Sequence, residues 1–202
     1  MKGDYRGSIE DYSKAIEYDA KFSEAYNNRG YSKFVLENYS KAIKDFNTAI
    51  KLSPKTAYMY YNRGLANEAV EKHHAAIADY TDAITRDRKY VWAYISRGNS
   101  KGSLEDYEGA ILDYNKAIEI NSKASWAYLN RGFARFRQKD YYGSIDDYNK
   151  AIELSPMNCE IYYYRGFSKE TIGETDDAYT DWIKAGALGC ERAYDIVEKY
   201  EK

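Results

Sequence analysis

A single dipeptide, arginine followed by glycine, returns along this chain at a fixed interval of 34 residues. It occupies Arg29-Gly30, Arg63-Gly64, Arg97-Gly98, Arg131-Gly132 and Arg165-Gly166. A period of this length indicates an array of stacked structural repeats, in which each unit buries its apolar face against its neighbours. Such an array has one continuous core rather than separate globular domains, and it more often presents a binding surface than a catalytic centre.

The apolar residues recur at intervals of three and four, a spacing that predicts helix throughout. Between Ser23 and Pro54 the pattern predicts one helix through Gly30, a tight turn at Glu37-Asn38 and a second helix that the proline ends. The same pair of helices is repeated from Ala57, Val91, Ser125 and Cys159. We therefore expect an all-α fold built from antiparallel helix pairs.

Each helix pair carries the same set of small and aromatic residues. A tyrosine stands four residues before each glycine, a small residue twelve after it and an aromatic residue sixteen after it. The aromatic residues of this last column are Phe46, Tyr80, Tyr114, Tyr148 and Trp182. Glycine inside a helix costs ~1 kcal/mol relative to alanine, so its return at one register predicts a close approach between the two helices of a pair.

These columns resemble the tetratricopeptide repeat (TPR), and the resemblance covers essentially the whole chain. It implies a right-handed superhelical solenoid whose first helices line the concave side. As a single array, the chain would divide into a half-repeat with a second helix only, five full repeats and a C-terminal capping helix, at residues 1–22, 23–56, 57–90, 91–124, 125–158, 159–189 and 190–202. The chain departs from the family pattern in the arginine before each glycine and in the polar residue three positions after it.

An aspartate recurs fifteen residues after each glycine, in step with the arginine before it. This strict co-occurrence predicts an arginine–carboxylate pair between the two helices of each repeat. The pairs would be Arg29 with Asp45, Arg63 with Asp79, Arg97 with Asp113, Arg131 with Asp147 and Arg165 with Asp181. We interpret the arginines as structural residues rather than as a clamp for a ligand.

A second stripe runs along the first helices at positions six and three before each glycine and one and four after it. This spacing places the stripe on one helical face. Ten of its twenty side chains are aromatic, none is lysine or arginine, and its four charged residues are glutamates. A large apolar patch that faces solvent indicates a binding surface. Alternatively, neighbouring first helices bury these rings against one another.

An asparagine column lies beside the stripe. The TPR resemblance implies that such asparagines bond the backbone of an extended ligand, whereas local hydrogen bonding within the repeat is the alternative. Stripe and column together predict a peptide-binding groove formed by Asn28, Tyr31, Tyr58, Tyr61, Asn62, Trp92, Trp126, Asn130, Phe133, Phe136, Tyr163 and Phe167.

Charge and hydropathy argue against other classes of partner. The chain holds 30 basic and 32 acidic residues, so its net charge supplies no field that would attract nucleic acid. No stretch approaches ~18 uncharged apolar residues, so no membrane span is expected. The first residues are not followed by the apolar region of a signal peptide. We therefore expect a cytoplasmic location, with neither a nucleic acid nor a membrane as partner.

The sequence lacks the residue patterns of catalysis, with no nucleophile–histidine set, phosphate-binding loop or metal-ligand spacing. His73 and His74 are adjacent and would diverge by about 100° on a helix, so they cannot easily share a metal, and we interpret His73 as a packing residue. Cys159 and Cys190 bracket one repeat, and free buried thiols are favoured over a disulfide. We expect no catalytic residue, no metal site and no cofactor, and therefore no enzyme.

These observations favour a protein–protein interaction scaffold that binds a peptide segment of a partner in an aromatic, mildly acidic concave groove. The acidic balance of the groove favours a peptide with lysine or arginine near its apolar anchors. The alternative is a self-assembling structural repeat protein that forms a homodimer through the uncapped N-terminal half-repeat, residues 4–18.

Overall fold

The computed structural model describes residues 4–200, and within that part of the chain it contains twelve α-helices and no strand. The helices are α1 Tyr5–Tyr18, α2 Ser23–Val35, α3 Tyr39–Leu52, α4 Ala57–Glu68, α5 His73–Arg86, α6 Val91–Ser103, α7 Tyr107–Ile120, α8 Ser125–Arg137, α9 Tyr141–Leu154, α10 Cys159–Thr171, α11 Thr175–Ala187 and α12 Glu191–Tyr200. The predicted all-α fold of helix pairs is confirmed. The ends of the predicted half-repeat and capping helix, residues 1–3 and 201–202, lie outside the described residues.

The chain forms two compact units, the first ending at Leu104 and the second beginning at Glu105. In the first unit α1 to α6 pack in chain order, each helix against the next, and α2 and α6 also contact α4. In the second unit α7 to α12 pack in the same way, and α8 also contacts α10. First helices therefore neighbour first helices within each unit. The predicted division into one array of five repeats stays a prediction.

The glycine of the repeated dipeptide lies where the two helices of a pair approach most closely. A Cβ atom added to Gly30 would lie 2.8 Å from Cε1 of Phe46, and one added to Gly132 would lie 2.8 Å from Cε1 of Tyr148. The same conflict arises at Gly64 with Tyr80 and at Gly166 with Trp182. A larger residue would have to displace a core ring, which confirms the packing role predicted for these glycines.

The rings opposite the glycines form the centre of each helix pair. Phe46, Tyr80, Tyr148 and Trp182 are almost fully buried. The small residues one turn before them have no exposed surface at all; these are Ala42, Ala76, Ser144 and Ala178. Alternation of large and small side chains fills the space between the helices, as close packing of a protein core requires.

Specific residues set where the second helices begin. Asp4, Asp106 and Asp140 cap α1, α7 and α9 by accepting a hydrogen bond from the amide of the glycine three residues later, at 2.9 to 3.0 Å. The turns before α3, α5, α7, α9 and α11 each contain one residue with positive φ, namely Glu37, Glu71, Glu105, Lys139 and Gly173. A repeated turn of one shape joins each first helix to the second helix that follows it.

Candidate peptide-binding surface

Paired charges hold the first helices, which carry the candidate surface, against the second helices. Arg29 donates through Nε to Oδ2 of Asp45 at 2.9 Å and through Nη2 to Oδ1 at 2.8 Å. Equivalent pairs join Arg63 to Asp79, Arg131 to Asp147 and Arg165 to Asp181. The prediction is confirmed at these four positions. The pair of Arg97 and Asp113, whose members belong to different units, stays a prediction.

The third nitrogen of each guanidinium, Nη1, donates a hydrogen bond to the preceding repeat. Nη1 of Arg131 donates to Oδ1 of Asn115 at 2.6 Å. The corresponding acceptors are Ser13 for Arg29, Asn47 for Arg63, Thr81 for Arg97 and Asn149 for Arg165. Sequence reasoning missed this column, which lies sixteen residues before each arginine, because Ser, Thr and Asn there resemble ordinary exposed residues.

A further polar residue, three positions after the glycine, completes each cluster. Lys33 binds Asp45 at 2.6 Å, and Arg135 binds Asp147 at 2.9 Å. Asn67 and Lys169 take the same role in two further repeats, at Asp79 and Asp181. The arginines also lie over the tyrosine of their own helix, with the carbon of the Arg29 guanidinium 5.4 Å from the centroid of Tyr26. These contacts give the arginines a structural role, in agreement with the interpretation from the sequence.

The aromatic stripe divides into columns that are open and columns that are covered. Six residues before the glycine, Tyr58 is exposed, and Trp92 and Trp126 keep 53% and 49% of their surface accessible. Three residues before the glycine, the ring of Tyr61 lies 5.7 Å from Tyr80 and 5.0 Å from Tyr90. At this second position the side chains of Asn27, Ile95 and Leu129 are buried. The column three residues before the glycine is therefore covered, at Tyr61 by a ring of the second helix α5 and by Tyr90 just before α6, whereas the column six residues before it is open.

The stripe positions after the glycine also differ from one another. Tyr31 and Phe133, one residue after it, are exposed, whereas Phe167 packs edge-on against Trp182 at 5.3 Å. Phe136, four residues after it, packs against Tyr141 at 5.4 Å. The open candidate rings are Tyr31, Tyr58 and Trp92 in the first unit and Trp126 and Phe133 in the second.

The asparagines of the first unit bond to one another. Nδ2 of Asn62 donates to Oδ1 of Asn27 at 3.0 Å, and Nδ2 of Asn27 donates to Oδ1 of Asn28 at 3.1 Å. Local bonding therefore engages Asn62, while Asn28 stays exposed at the end of this short chain of amides. In the second unit, Asn130 lines a pocket instead.

That pocket has a volume of about 180 Å³ and is lined by Trp126, Leu129, Asn130, Phe133, Glu160 and Tyr164. Phe133 and Tyr164 meet edge to face, with 5.5 Å between their centroids. Glu160 is the one charged residue among the six. Pockets for small organic ligands start near about 300 Å³, so this recess is better suited to a single side chain of a larger partner.

Family comparisons agree with the repeat pattern. A profile described as "TPR repeat" matches residues 2–36, 98–139 and 134–173, which amount to more than half of the chain. Two profiles described as "Tetratricopeptide repeat" match residues 23–56 and 57–90. The chain belongs to the tetratricopeptide repeat family. No curated protein matches its sequence.

Solved structures share the TPR fold at low sequence identity. YrrB, described as a TPR protein with an unusual peptide-binding site, is 17% identical, with a TM-score of 0.74 over 94% of this chain and 97% of YrrB. MamA from Desulfovibrio magneticus RS-1 is 15% identical, with a TM-score of 0.76 over 82% of this chain and 94% of that structure. The Cut9 and Hcn1 complex of APC/C gives a TM-score of 0.80 at 18% identity over 97% of this chain and 39% of that one.

Helix α12 covers the end of the last TPR unit. Ala193 is fully buried in a cluster with Tyr162, Ala185 and Cys190. Tyr194 donates to the carbonyl of Gly186 at 2.9 Å. Both cysteines, Cys159 and Cys190, are free thiols, as favoured from the sequence. Burial raises the pKa of the Cys159 thiol, and the neighbouring Cys190 thiol raises it further.

Other chemistry has little support in this TPR array. Across residues 4–200, no helix is both long enough and apolar enough to span a membrane. Within the same range, His, Cys, Asp and Glu side chains nowhere gather in threes, as a metal site would need. His73 is the first residue of α5, is half-buried, and has a buried Nδ1 atom without a hydrogen-bond partner.

Proposed function

We propose that this TPR protein is an interaction scaffold that binds a peptide segment of a partner on the exposed face of its first helices. The observation that carries the proposal is the half-exposed state of Trp92 and Trp126. Both belong to the column six residues before the glycine, where the solvent-facing side of a helix would normally be polar. Large rings bury much area at low entropic cost when a partner covers them.

The glutamates of the stripe give this surface its charge. Glu68 accepts hydrogen bonds from Tyr80 at 2.7 Å and from Ser100 at 3.2 Å, so it serves the fold. Glu170 accepts from Tyr200 and is engaged in the same way. The other two glutamates lie in the first turns of α2 and α10, where Glu24 accepts a hydrogen bond from Ser23 at 2.8 Å and Glu160 pairs with Arg192 at 3.4 Å.

The environment of Tyr58 reports the negative charge of the first unit. Burial raises the pKa of the Tyr58 hydroxyl, and the nearby carboxylate of Glu24 raises it further. A cationic side chain beside Tyr58 would face this carboxylate and an exposed ring together. The proposed partner is therefore a peptide that carries lysine or arginine near its apolar anchors.

Peptides selected from a random display library on the immobilised protein would test the proposal. We expect Trp126→Ala to weaken binding of the selected peptides by about tenfold or more, as truncation of a central aromatic residue does. Tyr142→Ala is the matched control, because Tyr142 lies on the second helix α9 and is 71% exposed. Unchanged affinity in Trp126→Ala would contradict the proposal.

As the alternative function, we propose self-assembly through α1. Each of the other second helices buries four or five residues, whereas α1 buries none. Its apolar residues Ile9, Tyr12 and Ile16 are only half-buried. Sedimentation velocity over a range of concentrations should show a dimer that Ile9→Glu disrupts and that the exposed exchange Lys14→Glu preserves. A strict monomer would exclude this alternative.

A further inference from the structure

Glu160 lies between two recesses at the C-terminal end of the second unit. On one side is the aromatic pocket lined by Trp126, Phe133 and Tyr164. On the other is an open cleft of about 290 Å³, lined also by Cys159, Gly189, Cys190, Glu191 and Arg192. The Glu160 side chain keeps 42% of its surface exposed, so its carboxylate is accessible.

The Glu160 carboxylate already forms an ion pair with an arginine of the same chain. Nη2 of Arg192, on α12, lies 3.4 Å from Oε1 of Glu160. The carbon of the same guanidinium lies 4.8 Å from the centroid of Tyr163. A hydrogen bond with Tyr164 raises the pKa of Arg192, and the charge interaction with that tyrosine adds to the shift. The first turns of α10 therefore provide one carboxylate and two aromatic side chains to a single arginine.

The contact between Glu160 and Arg192 is one that a partner could replace. Both side chains are about half exposed, at 55% for Arg192 and 42% for Glu160, and ion pairs open to solvent contribute little to stability. Glu160 and Tyr164, which engage Arg192, also line the aromatic pocket. From the pocket side, a cation would meet the same carboxylate and in addition the rings of Trp126 and Phe133, and tryptophan is the best aromatic partner for a cation.

One other basic group lies near the pocket. The guanidinium of Arg137 is 6.0 Å from the centroid of Phe133 and 4.7 Å from that of Tyr107. Its charge is paired with Glu105 at 3.6 Å. Arg137 is therefore turned toward Tyr107 and Glu105, and Glu160 remains the charged residue that lines the pocket.

We propose that the pocket formed by Trp126, Phe133, Glu160 and Tyr164 is a subsite for an arginine side chain of the partner, and that Arg192 competes with it for Glu160. The subsite rests on the proposed function of peptide binding and names the side chain that would be recognised there. Binding of the partner's arginine would release Arg192, so neutralising Glu160 and neutralising Arg192 should change affinity in opposite directions.

The probe would be N-acetyl-arginine N-methylamide, with the neutral, nearly isosteric citrulline compound as its control. The three tryptophans give three indole N–H signals in heteronuclear NMR spectra, which single Trp→Phe variants would assign. We expect the arginine compound to shift the Trp126 signal saturably, with a dissociation constant of about 1 to 10 mM for so small a ligand. The citrulline compound should bind about fivefold or more weakly, because it lacks the charge that a cation–π contact needs.

Two variants separate the subsite from the competition. Glu160→Gln should weaken binding of the arginine compound about fivefold or more, whereas Glu24→Gln, the same exchange in the same column of the first repeat, should not. Arg192→Met keeps an unbranched side chain over Tyr163 and removes the charge, so it should strengthen binding about two- to fivefold. Lys199→Met, on the same helix, is its control and should leave the affinity as it is.

Equal binding of the two compounds, or an unshifted Trp126 signal, would overturn the subsite. Unchanged or weaker binding in Arg192→Met would overturn the competition. A protein that binds selected peptides through Trp126 but does not respond to the arginine compound would contradict the subsite alone. A protein that binds the arginine compound but no peptide would contradict the proposed function alone.

Discussion

Arg131 and Asp147 form a two-point ion pair across their repeat, with Nε of the arginine 2.9 Å from Oδ2 of the aspartate. The Asp147 side chain is only 3% exposed, so its charge depends on this partner and on Arg135. The same arginine donates to Asn115 in the preceding repeat. One residue therefore stabilises a helix pair and the contact between two repeats.

Replacing this arginine should leave a buried carboxylate with incomplete compensation. We expect Arg131→Met to lower the free energy of unfolding by about 2 to 4 kcal/mol, because removing one member of a buried ion pair is strongly destabilising. Urea denaturation followed by circular dichroism would measure the loss. Lys150→Met breaks the exposed pair of Lys150 with Glu153 and should leave the free energy of unfolding nearly unchanged, because exposed ion pairs contribute little. Equal losses in the two variants would show that burial of Asp147 has no special effect.

The glycine column allows a test in which helix propensity and packing oppose each other. Gly132→Ala gains about 1 kcal/mol of helix propensity, but its Cβ atom would lie 2.8 Å from the Tyr148 ring. We expect a net destabilisation of about 1 to 3 kcal/mol, as in other overpacked cores. Gly102→Ala in α6, where an added Cβ meets no atom within 4 Å, should instead raise stability by up to about 1 kcal/mol. Thermal denaturation of both variants would contradict this account if their melting temperatures moved in the same direction.

The buried tyrosines should make the protein sensitive to alkaline pH. Burial raises the pKa of Tyr148 well above its ordinary value of about 10, and it raises that of Tyr90 to about 12. Above pH 10 these tyrosines lose their protons more readily in the unfolded chain. Their contribution to stability is therefore complete below about pH 10 and declines as the pH rises above it.

Tyr148→Phe removes one of these ionisations. The drop in unfolding free energy between pH 8 and pH 11, measured in urea, should be smaller in the variant by up to about 1.4 kcal/mol, the value of one pH unit for one group. Exchange of the exposed Tyr142 for phenylalanine is the matched control. A variant that loses as much stability as the wild-type protein would show that Tyr148 does not contribute to the alkaline transition.

The C-terminal helix should be held by the residue that it buries. Ala193 has no exposed surface in its cluster with Tyr162 and Ala185, so Ala193→Asp would place an unpaired carboxylate there. We expect α12 to detach and the free energy of unfolding to fall by about 2 kcal/mol or more. Hydrogen exchange should then report faster exchange in α12 first. Glu198→Ala, an exposed exchange on the same helix, should stay within about 0.5 kcal/mol of the wild-type protein.

The features that repeat along the chain could be predicted, because a column seen five times has one cause. The packing of Gly30 against Phe46 and the ion pair of Arg29 with Asp45 are examples, since each belongs to a pair of residues that recurs within the repeats. Both contacts depend on the spacing of residues within one helix pair, and this spacing can be read from the sequence.

The accessibility of the stripe could not be predicted in the same way. Tyr58 and Tyr61 lie on one face of α4, yet Tyr61 is covered by Tyr90 and Tyr58 is not. The difference arises from Tyr90, the residue just before α6, which packs against the Tyr61 ring. Similarly, the contact of Arg192 with Tyr163 depends on how α12 docks, and no repeated pattern precedes it.

The hydrogen bond from each arginine to the repeat before it has a consequence for how such a chain can evolve. Each arginine, such as Arg63, donates to a residue sixteen positions earlier, such as Asn47, so donor and acceptor both recur every 34 residues through the five bonds observed. A gene duplication or deletion that involves whole repeats would bring a matching donor and acceptor together at each new junction. Insertions or deletions of any other length would place a guanidinium opposite a residue that cannot accept its hydrogen bond. These hydrogen bonds therefore favour the gain or loss of complete repeats.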